Sequence, residues 1–317
     1  MYFYWIELII IMLKKERFLQ SSMIRQGVLL KDINRATFSV EPGLAKAISD
    51  SERLSDFYKW ATTESRDYHI ALEERIRLPF ENGMLVVRKG DGSIKFDDRK
   101  LRFSGYHQRD GRTVLQIGPT HFGEIKATDI KSTIDERFEE SLVVRGVNDF
   151  NDRFAYLASS VAVNSVPVTK EGYVHVFKRG SKQELLPGKW DVYGGFVEVG
   201  EDIFTLHEED MTDKFFGLLD RNVRKEFVEE TGNNQDAFEL MGLVKGVNFV
   251  FSYKANLAVS SEEFIAKHAS AKDASEVGNI RVLKTPADMD KFLKTERSNS
   301  SPTAYQTLQL YYDKLVA

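Results

Sequence analysis

The sequence contains no cysteine. That excludes disulfides, Cys-ligated zinc, iron–sulfur clusters and cysteine nucleophiles, and it is compatible with a cytoplasmic location. There is no long basic run, and the net charge is −4. A weakly acidic chain lacks the clustered Lys and Arg that phosphate backbones demand, so no nucleic-acid partner is expected. The histidines (His69, His107, His121, His175, His207 and His268) are scattered, and no pair has zinc-helix spacing. They read as surface or core residues. The most apolar stretch, residues 1–13, is interrupted by Glu7 and falls short of the roughly 20 residues a membrane span needs. No basic region precedes it and no small-residue cleavage site follows, so neither a secretory signal nor a membrane partner is expected. Residues 1–22 read instead as a peripheral extension or an over-long start, with the true initiator at Met12 or Met23. Internal repeats and low-complexity segments are absent.

What is present is ordinary for a globular protein. Hydrophobic residues make up 42% of the 317 and charged residues 29%. That length suits one large domain or two modest ones. Residues 41–66 carry Leu44, Ala47, Ile48, Leu54, Phe57, Tyr58 and Trp60 at helical spacing. Short strand-like runs follow at 84–87, 101–106 and 113–117, separated by the turn signals Lys89-Gly90-Asp91-Gly92 and Arg109-Asp110-Gly111. Residues 23–153 are therefore expected to form an accessory α+β unit. In 154–317, strands are expected at 160–168 and 173–177, joined by Thr169-Lys170-Glu171-Gly172. An extended run at 190–199, broken by Gly194-Gly195, precedes a helix over 214–231 that Gly232 ends. Two strands are expected around Gly246-Val247-Asn248, then a helix capped by Ser260 or Ser261, a strand at 280–283, and helices opening at Thr285-Pro286 and Ser301-Pro302. The last helix carries Tyr305, Leu308, Tyr312 and Leu315 on one stripe. The whole is α+β, a mixed sheet flanked by helices.

The chemistry is concentrated in two pieces: Gly194-Gly195-Phe196-Val197-Glu198-Val199-Gly200-Glu201, and Lys225-Glu226-Phe227-Val228-Glu229-Glu230-Thr231-Gly232. On a helix, Glu229 lies about 60° to one side of Glu226 and Glu230 about 40° to the other, so the three carboxylates share a turn. Like charges at this spacing repel, and a hard divalent cation relieves them. Magnesium takes oxygen ligands, keeps several waters and bridges to substrate phosphates. A Gly-Gly break allows the backbone to bend tightly and expose a carbonyl as a further hard ligand. Together these features suit phosphoryl chemistry.

At these residues the chain resembles the Nudix hydrolase family, whose signature is Gly, five residues, Glu, seven residues, then Arg-Glu-apolar-x-Glu-Glu-x-Gly-apolar. Gly195, Glu201, Glu226, Phe227, Glu229, Glu230 and Gly232 match. Lys225 stands where Arg is usual and Asn233 where an apolar residue is usual, and the seven-residue spacer has grown to the 23 residues 202–224. Loop lengthening costs only about 0.6 kcal/mol per doubling, so the insertion is tolerable as a bulge before the helix. The enlarged spacer is similar to that of a branch linked to nucleoside-diphosphate sugars.

The resemblance implies an α/β/α sandwich preceded by the smaller accessory unit. It also implies hydrolysis of a diphosphate linkage in a nucleoside diphosphate derivative, with Mg2+ or Mn2+. Metal ligands would be Glu229, Glu230, Glu226 and the carbonyl of Gly194 or Gly195. Glu226 would bind the ion or orient the attacking water, and Glu201 would brace Lys225. A later carboxylate, Glu276, would act as base or ligand, with Glu262 and Glu263 as rivals. Arg179 and Lys178, at a strand end, are candidates to meet phosphate. Trp190 and Tyr193 are candidates to stack on a base, with core packing the favoured alternative for both. The partner would be a small diphosphate, and a homodimer is left open. Isopentenyl diphosphate isomerase shares this fold but looks to depend on a catalytic Cys, absent here, and RNA cap hydrolysis lacks an evident basic patch. A non-catalytic Nudix module that binds a nucleotide as sensor or scaffold is the remaining alternative.

Overall fold

The computed structural model describes residues 157–199 and 208–317, apart from 182, 184–185 and 235–236. It also describes the upstream segments 27–30, 37–40, 80–81, 84–85, 87–88, 94–96, 99–109, 112–130, 138–140, 142–144 and 147. The expected helix at 41–66, the apolar residues 1–13, Gly200 and Glu201 lie outside the described residues.

Upstream are β1 (Gly27–Leu30), β2 (Thr37–Val40), and the short pairs β3 (Phe80–Glu81) with β4 (Met84–Leu85) and β5 (Val87–Arg88) with β6 (Ile94–Phe96). A long hairpin follows, β7 (Arg99–Arg109) and β8 (Arg112–His121), paired out to Arg109 and Arg112. Then come β9 (Val161–Val168), β10 (Val174–Arg179), β11 (Trp190–Asp191), β12 (Tyr193–Phe196), α1 (Glu208–Thr231), β13 (Phe238–Lys245) and β14 (Phe249–Asn256). The chain closes with α2 (Ser261–His268), β15 (Val277–Leu283), α3 (Pro286–Thr295) and α4 (Pro302–Val316).

The main sheet is mixed. Its order is β1-β13-β14-β9-β10-β11, with β12 on β9 and β15 on β10. Strand β9, Val-Ala-Val-Asn-Ser-Val-Pro-Val, is buried along its whole length, as a central strand covered on both faces must be. It pairs parallel with β14 on one edge. The other edge is shared by β12, along Ala162–Ser165, and β10, at Val168.

Alternation of side chains divides the core. On one face Val161, Val163, Phe249, Phe251 and Tyr253 meet Phe215, Leu218, Leu219 and Val223 of α1, together with Leu101, Phe103, Leu115 and Ile117 of the β7–β8 hairpin. On the other face Ala162, Val166, Val176 and Val250 meet Met289, Phe292 and Leu293 of α3 and Ala304, Leu308 and Tyr311 of α4. Each such side chain contributes roughly 1.5–3 kcal/mol of transfer free energy. The result is the α/β/α layering that the resemblance implies, around the mixed sheet expected from the sequence. The hairpin read as accessory buries its apolar side chains in the same cluster as the main sheet.

Two expectations are corrected. The helix expected over 214–231 starts earlier, at Glu208, so less of the enlarged spacer is left to bulge before it. On α4 the buried face is Ala304, Thr307, Leu308 and Tyr311, at i, i+3, i+4 and i+7, whereas Leu315 is 48% exposed. Ser260 and Thr285 form capping boxes with Glu263 and Asp288, as their spacing requires. Among the described residues, no helix is long and apolar enough to cross a membrane.

Candidate functional site

The site forms where β12 meets the C-terminal half of α1. In β12, Gly194 and Gly195 pair with Asn164 and Val163 of β9. A Cβ on Gly194 would strike the backbone of Val163 and Asn164, and one on Gly195 would strike the Glu226 carboxyl. Close approach to backbone therefore requires glycine at 194, whereas a side chain at 195 would have to displace the Glu226 carboxyl. In an antiparallel ladder, the N–H and C=O of one residue share an edge and those of the next take the other. The Gly194 N–H donates to Glu230 Oε2 at 2.7 Å, while the Val197 N–H donates to Val161 O at 3.0 Å. The Gly194 carbonyl thus faces away from β9, on the side of α1, and the Gly195 carbonyl faces β9.

The three carboxylates differ in burial: Glu230 is buried, and Glu226 and Glu229 are partly buried. Glu230 is 8% exposed. Burial, and then repulsion from Glu226, raise its pKa well above the usual range. Burial also raises Glu226, to about 7, against the opposing pull of Lys225. Among the described residues no hydrogen-bond donor is paired with the Glu226 carboxylate, so Glu226 and Glu230 form a repelling pair beneath the glycines. Glu229 turns outward to Lys272, at 2.7 Å. Among the described residues no three His, Asp or Glu side chains are grouped to hold one ion. Of the expected trio Glu226, Glu229 and Glu230, the structure sets Glu226 beside Glu230 and pairs Glu229 with Lys272. The pair still fits a hard cation, since Mg2+ is commonly held by one or two carboxylates with waters and substrate phosphates completing the sphere.

Glu201, the expected brace of Lys225, lies outside the described residues, and among those described Lys225 pairs with Glu198. Lys225 Nζ lies 2.8 Å from Glu198 Oε2, and Lys100 Nζ of β7 lies 3.0 Å from Glu198 Oε1. Partial burial pushes the Glu198 carboxyl up, but hydrogen bonds from Lys225 and Lys100 outweigh it and leave the pKa lowered. The same bond with Glu198 raises Lys225. Glu198 sits three residues before Glu201 in one acidic run, and spacing alone does not choose between them. Asn222 also escaped the sequence reading: its Oδ1 accepts from the Glu198 N–H at 3.0 Å, and its Nδ2 donates to Glu198 O at 3.3 Å.

The remaining candidates are dispersed. Glu276 is exposed, on a turn docked between α1, where the Asp273 N–H donates to Glu229 O (2.9 Å), and β10, where the Gly180 N–H donates to Glu276 O (2.8 Å). Glu263 is committed to capping α2, its Oε2 accepting the Ser260 N–H at 2.7 Å, and Glu262 is exposed on the same turn. Arg179 pairs with Asp191 at 2.9 Å, and Asp191 in turn accepts Ser301 Oγ at the start of α4. Trp190 is 7% exposed. Phe292 packs on its ring edge-to-face, Lys178 and Arg281 lie 5.0 Å from its centroid, and Nε1 donates to Glu296. No face of it is left for a base. Tyr193 is fully buried against Phe177, Phe227 and Phe264. His175 is buried too, and burial lowers its pKa to about 4, so it is neutral.

Among solved structures, the chain is similar to a MutT protein from Methanosarcina mazei Go1, with 18% identity over 50% of this chain and 94% of that one, and a TM-score of 0.34. It is similar to a NUDIX hydrolase from Nitrosomonas europaea, at 13% identity over 49% and 89% of the two chains, TM-score 0.33. A MutT NUDIX hydrolase from Burkholderia pseudomallei is similar at 17% identity over 39% and 81%, TM-score 0.27. No protein-family model matches the sequence, and no curated protein matches it.

Proposed function

We propose that the chain is a Nudix-type hydrolase that cleaves the diphosphate linkage of a nucleoside diphosphate derivative, with a nucleotide sugar as the first substrate to try. The observation that carries this reading is the meeting of two buried carboxylates, Glu226 and Glu230, with the Gly194–Gly195 backbone, in a sequence that spells both halves of the signature. Glu226, Glu230 and the Gly194 carbonyl would hold Mg2+ or Mn2+. The bound ion would supply charge neutralisation at the diphosphate oxygens and a more acidic water. Glu230, through the Gly194 N–H, fixes the bend against α1. Glu198, with Lys225, holds the strand that follows. Glu276, on the turn docked to the end of α1, is the candidate proton acceptor from the attacking water. Glu229 sits at the rim, and Arg179 would reach a phosphate only by leaving Asp191.

The test is phosphate or nucleotide release from a panel of nucleoside diphosphate derivatives, with and without Mg2+. Turnover that requires Mg2+ and falls by roughly 10²–10⁴-fold in Glu230→Gln, with the fold retained, supports the hydrolase. Ligand binding without turnover across the panel rejects it in favour of a non-catalytic nucleotide-binding module.

A further inference from the structure

We propose that Lys100, on the hairpin read as accessory, is a positioning residue for the metal-binding bend and acts through Glu198; this rests on the hydrolase reading above. Lys100 stands 98 residues from Glu198 in sequence, and its Nζ donates to Glu198 Oε1 at 3.0 Å. Its side chain is 8% exposed, against 43% for Lys225 and 40% for Glu198. An exposed pair such as Lys225–Glu198 contributes little, because water and salt screen it. A buried ammonium cannot be left without its counter-charge, so Lys100 dictates where the Glu198 carboxylate sits.

The neighbouring contacts make this a fixed point. Leu101 and Phe103 of β7 are fully buried in the core shared with α1. The Leu101 N–H donates to Val197 O at 3.0 Å, and the Phe103 N–H donates to Ser159 O at 2.9 Å. The segment from Gly194 to Glu198 is therefore held from three sides: by β9 at Val197, by α1 through Asn222 and Lys225, and by β7 through Leu101 and Lys100. Glu226 lies against Gly195 within that frame, and it feels the charges of Glu198 and Lys100. The upstream region thus completes the frame of the site.

The experiment uses the full chain as wild type, Lys100→Met, Lys100→Arg, Glu198→Gln and the double variant Lys100→Met/Glu198→Gln. Mn2+ affinity is read by electron paramagnetic resonance, and amide hydrogen exchange is followed over 194–199. Lys100→Met is expected to weaken Mn2+ binding by roughly 10–100-fold, the size of effect seen when an outer partner of a metal ligand is lost. Glu198→Gln should do the same and the double variant no more, while Lys100→Arg restores binding. Exchange over 194–199 should quicken in Lys100→Met while the rest of the chain stays protected. Mn2+ affinity within twofold of wild type in Lys100→Met, or additive losses in the double variant, would overturn the proposal. If the wild type binds no Mn2+, the hydrolase reading fails separately and exchange alone decides: faster exchange confined to 194–199 sustains the positioning role, and unchanged exchange removes it. If Lys100→Met does not fold, the same outcomes are read from Glu198→Gln against Lys100→Arg.

Discussion

Replacing Glu226 with Gln should stabilise the metal-free protein, and only at high pH. Glu226 titrates near 4.5 in an unfolded chain and is raised to about 7 in the fold, chiefly by burial. A carboxyl whose folded pKa is raised favours folding while it is protonated, and that contribution is lost as pH climbs through the folded pKa. Below about pH 4.5 wild type and Glu226→Gln should be equally stable. Between about pH 4.5 and pH 7 wild type loses ground progressively, and above about pH 7 the full difference stands. At 1.36 kcal/mol per pKa unit, a rise from 4.5 to about 7 corresponds to about 3 kcal/mol. Glu230 repels the same carboxylate and titrates with it, so this figure is a ceiling for the single substitution. In a thermal melt it amounts to roughly 5–10 °C. The assay is a pair of melts, near pH 4.5 and near pH 8, without divalent ions and then with saturating Mg2+. Added Mg2+ should raise the wild-type Tm and leave Glu226→Gln unmoved. A Glu226→Gln protein that is equally destabilised at both pH values would refute the reasoning, because the carboxyl would then be making favourable contacts that the structure does not contain.

Other substitutions separate the site from its scaffold. Gly195→Ala places a methyl against the Glu226 carboxyl; Mn2+ affinity measured by calorimetry should drop at least tenfold while the melt changes little. Gly194→Ala strikes backbone rather than a movable side chain, so urea unfolding should show a loss of about 1–3 kcal/mol. Asp129 accepts from the Ser159 N–H, the Ser160 N–H and the Ser160 hydroxyl at 2.6–3.0 Å. Asp129→Ala leaves those donors buried without partners and should cost on the order of 3 kcal/mol in urea. Lys272→Ala removes only the exposed partner of Glu229, so its Tm should match wild type.

The layers were legible because local and global signals agree. Val161 and Val163 against Ala162 and Val166, or Phe249 and Phe251 against Val250, alternate as a two-sided sheet requires. Ser260, Thr285 and Ser301 cap helices where the sequence places them. The different burial of Glu226, Glu229 and Glu230 was not legible, because all three directions fall within the arc spanned by buried Leu218, Leu219, Asn222 and Val223. The extension of α1 back to Glu208 was not legible, because residues 208–213, Glu-Glu-Asp-Met-Thr-Asp, hold a single apolar side chain and so carry no stripe. The brace was out of reach. Nothing local in the sequence marks Glu198 as a partner of Lys225, and Lys100 arrives from a distant hairpin whose docking no local pattern encodes.

Glu226 and Glu230 are proposed to share a divalent ion at the Gly194 bend. The direct measurement is Mn2+ titration of the full chain near neutral pH, comparing wild type with Glu230→Gln by electron paramagnetic resonance. A bound ion in wild type that is lost in Glu230→Gln, with the circular dichroism spectrum unchanged, is the predicted result. Equal Mn2+ occupancy in both proteins, or none in either, would contradict it.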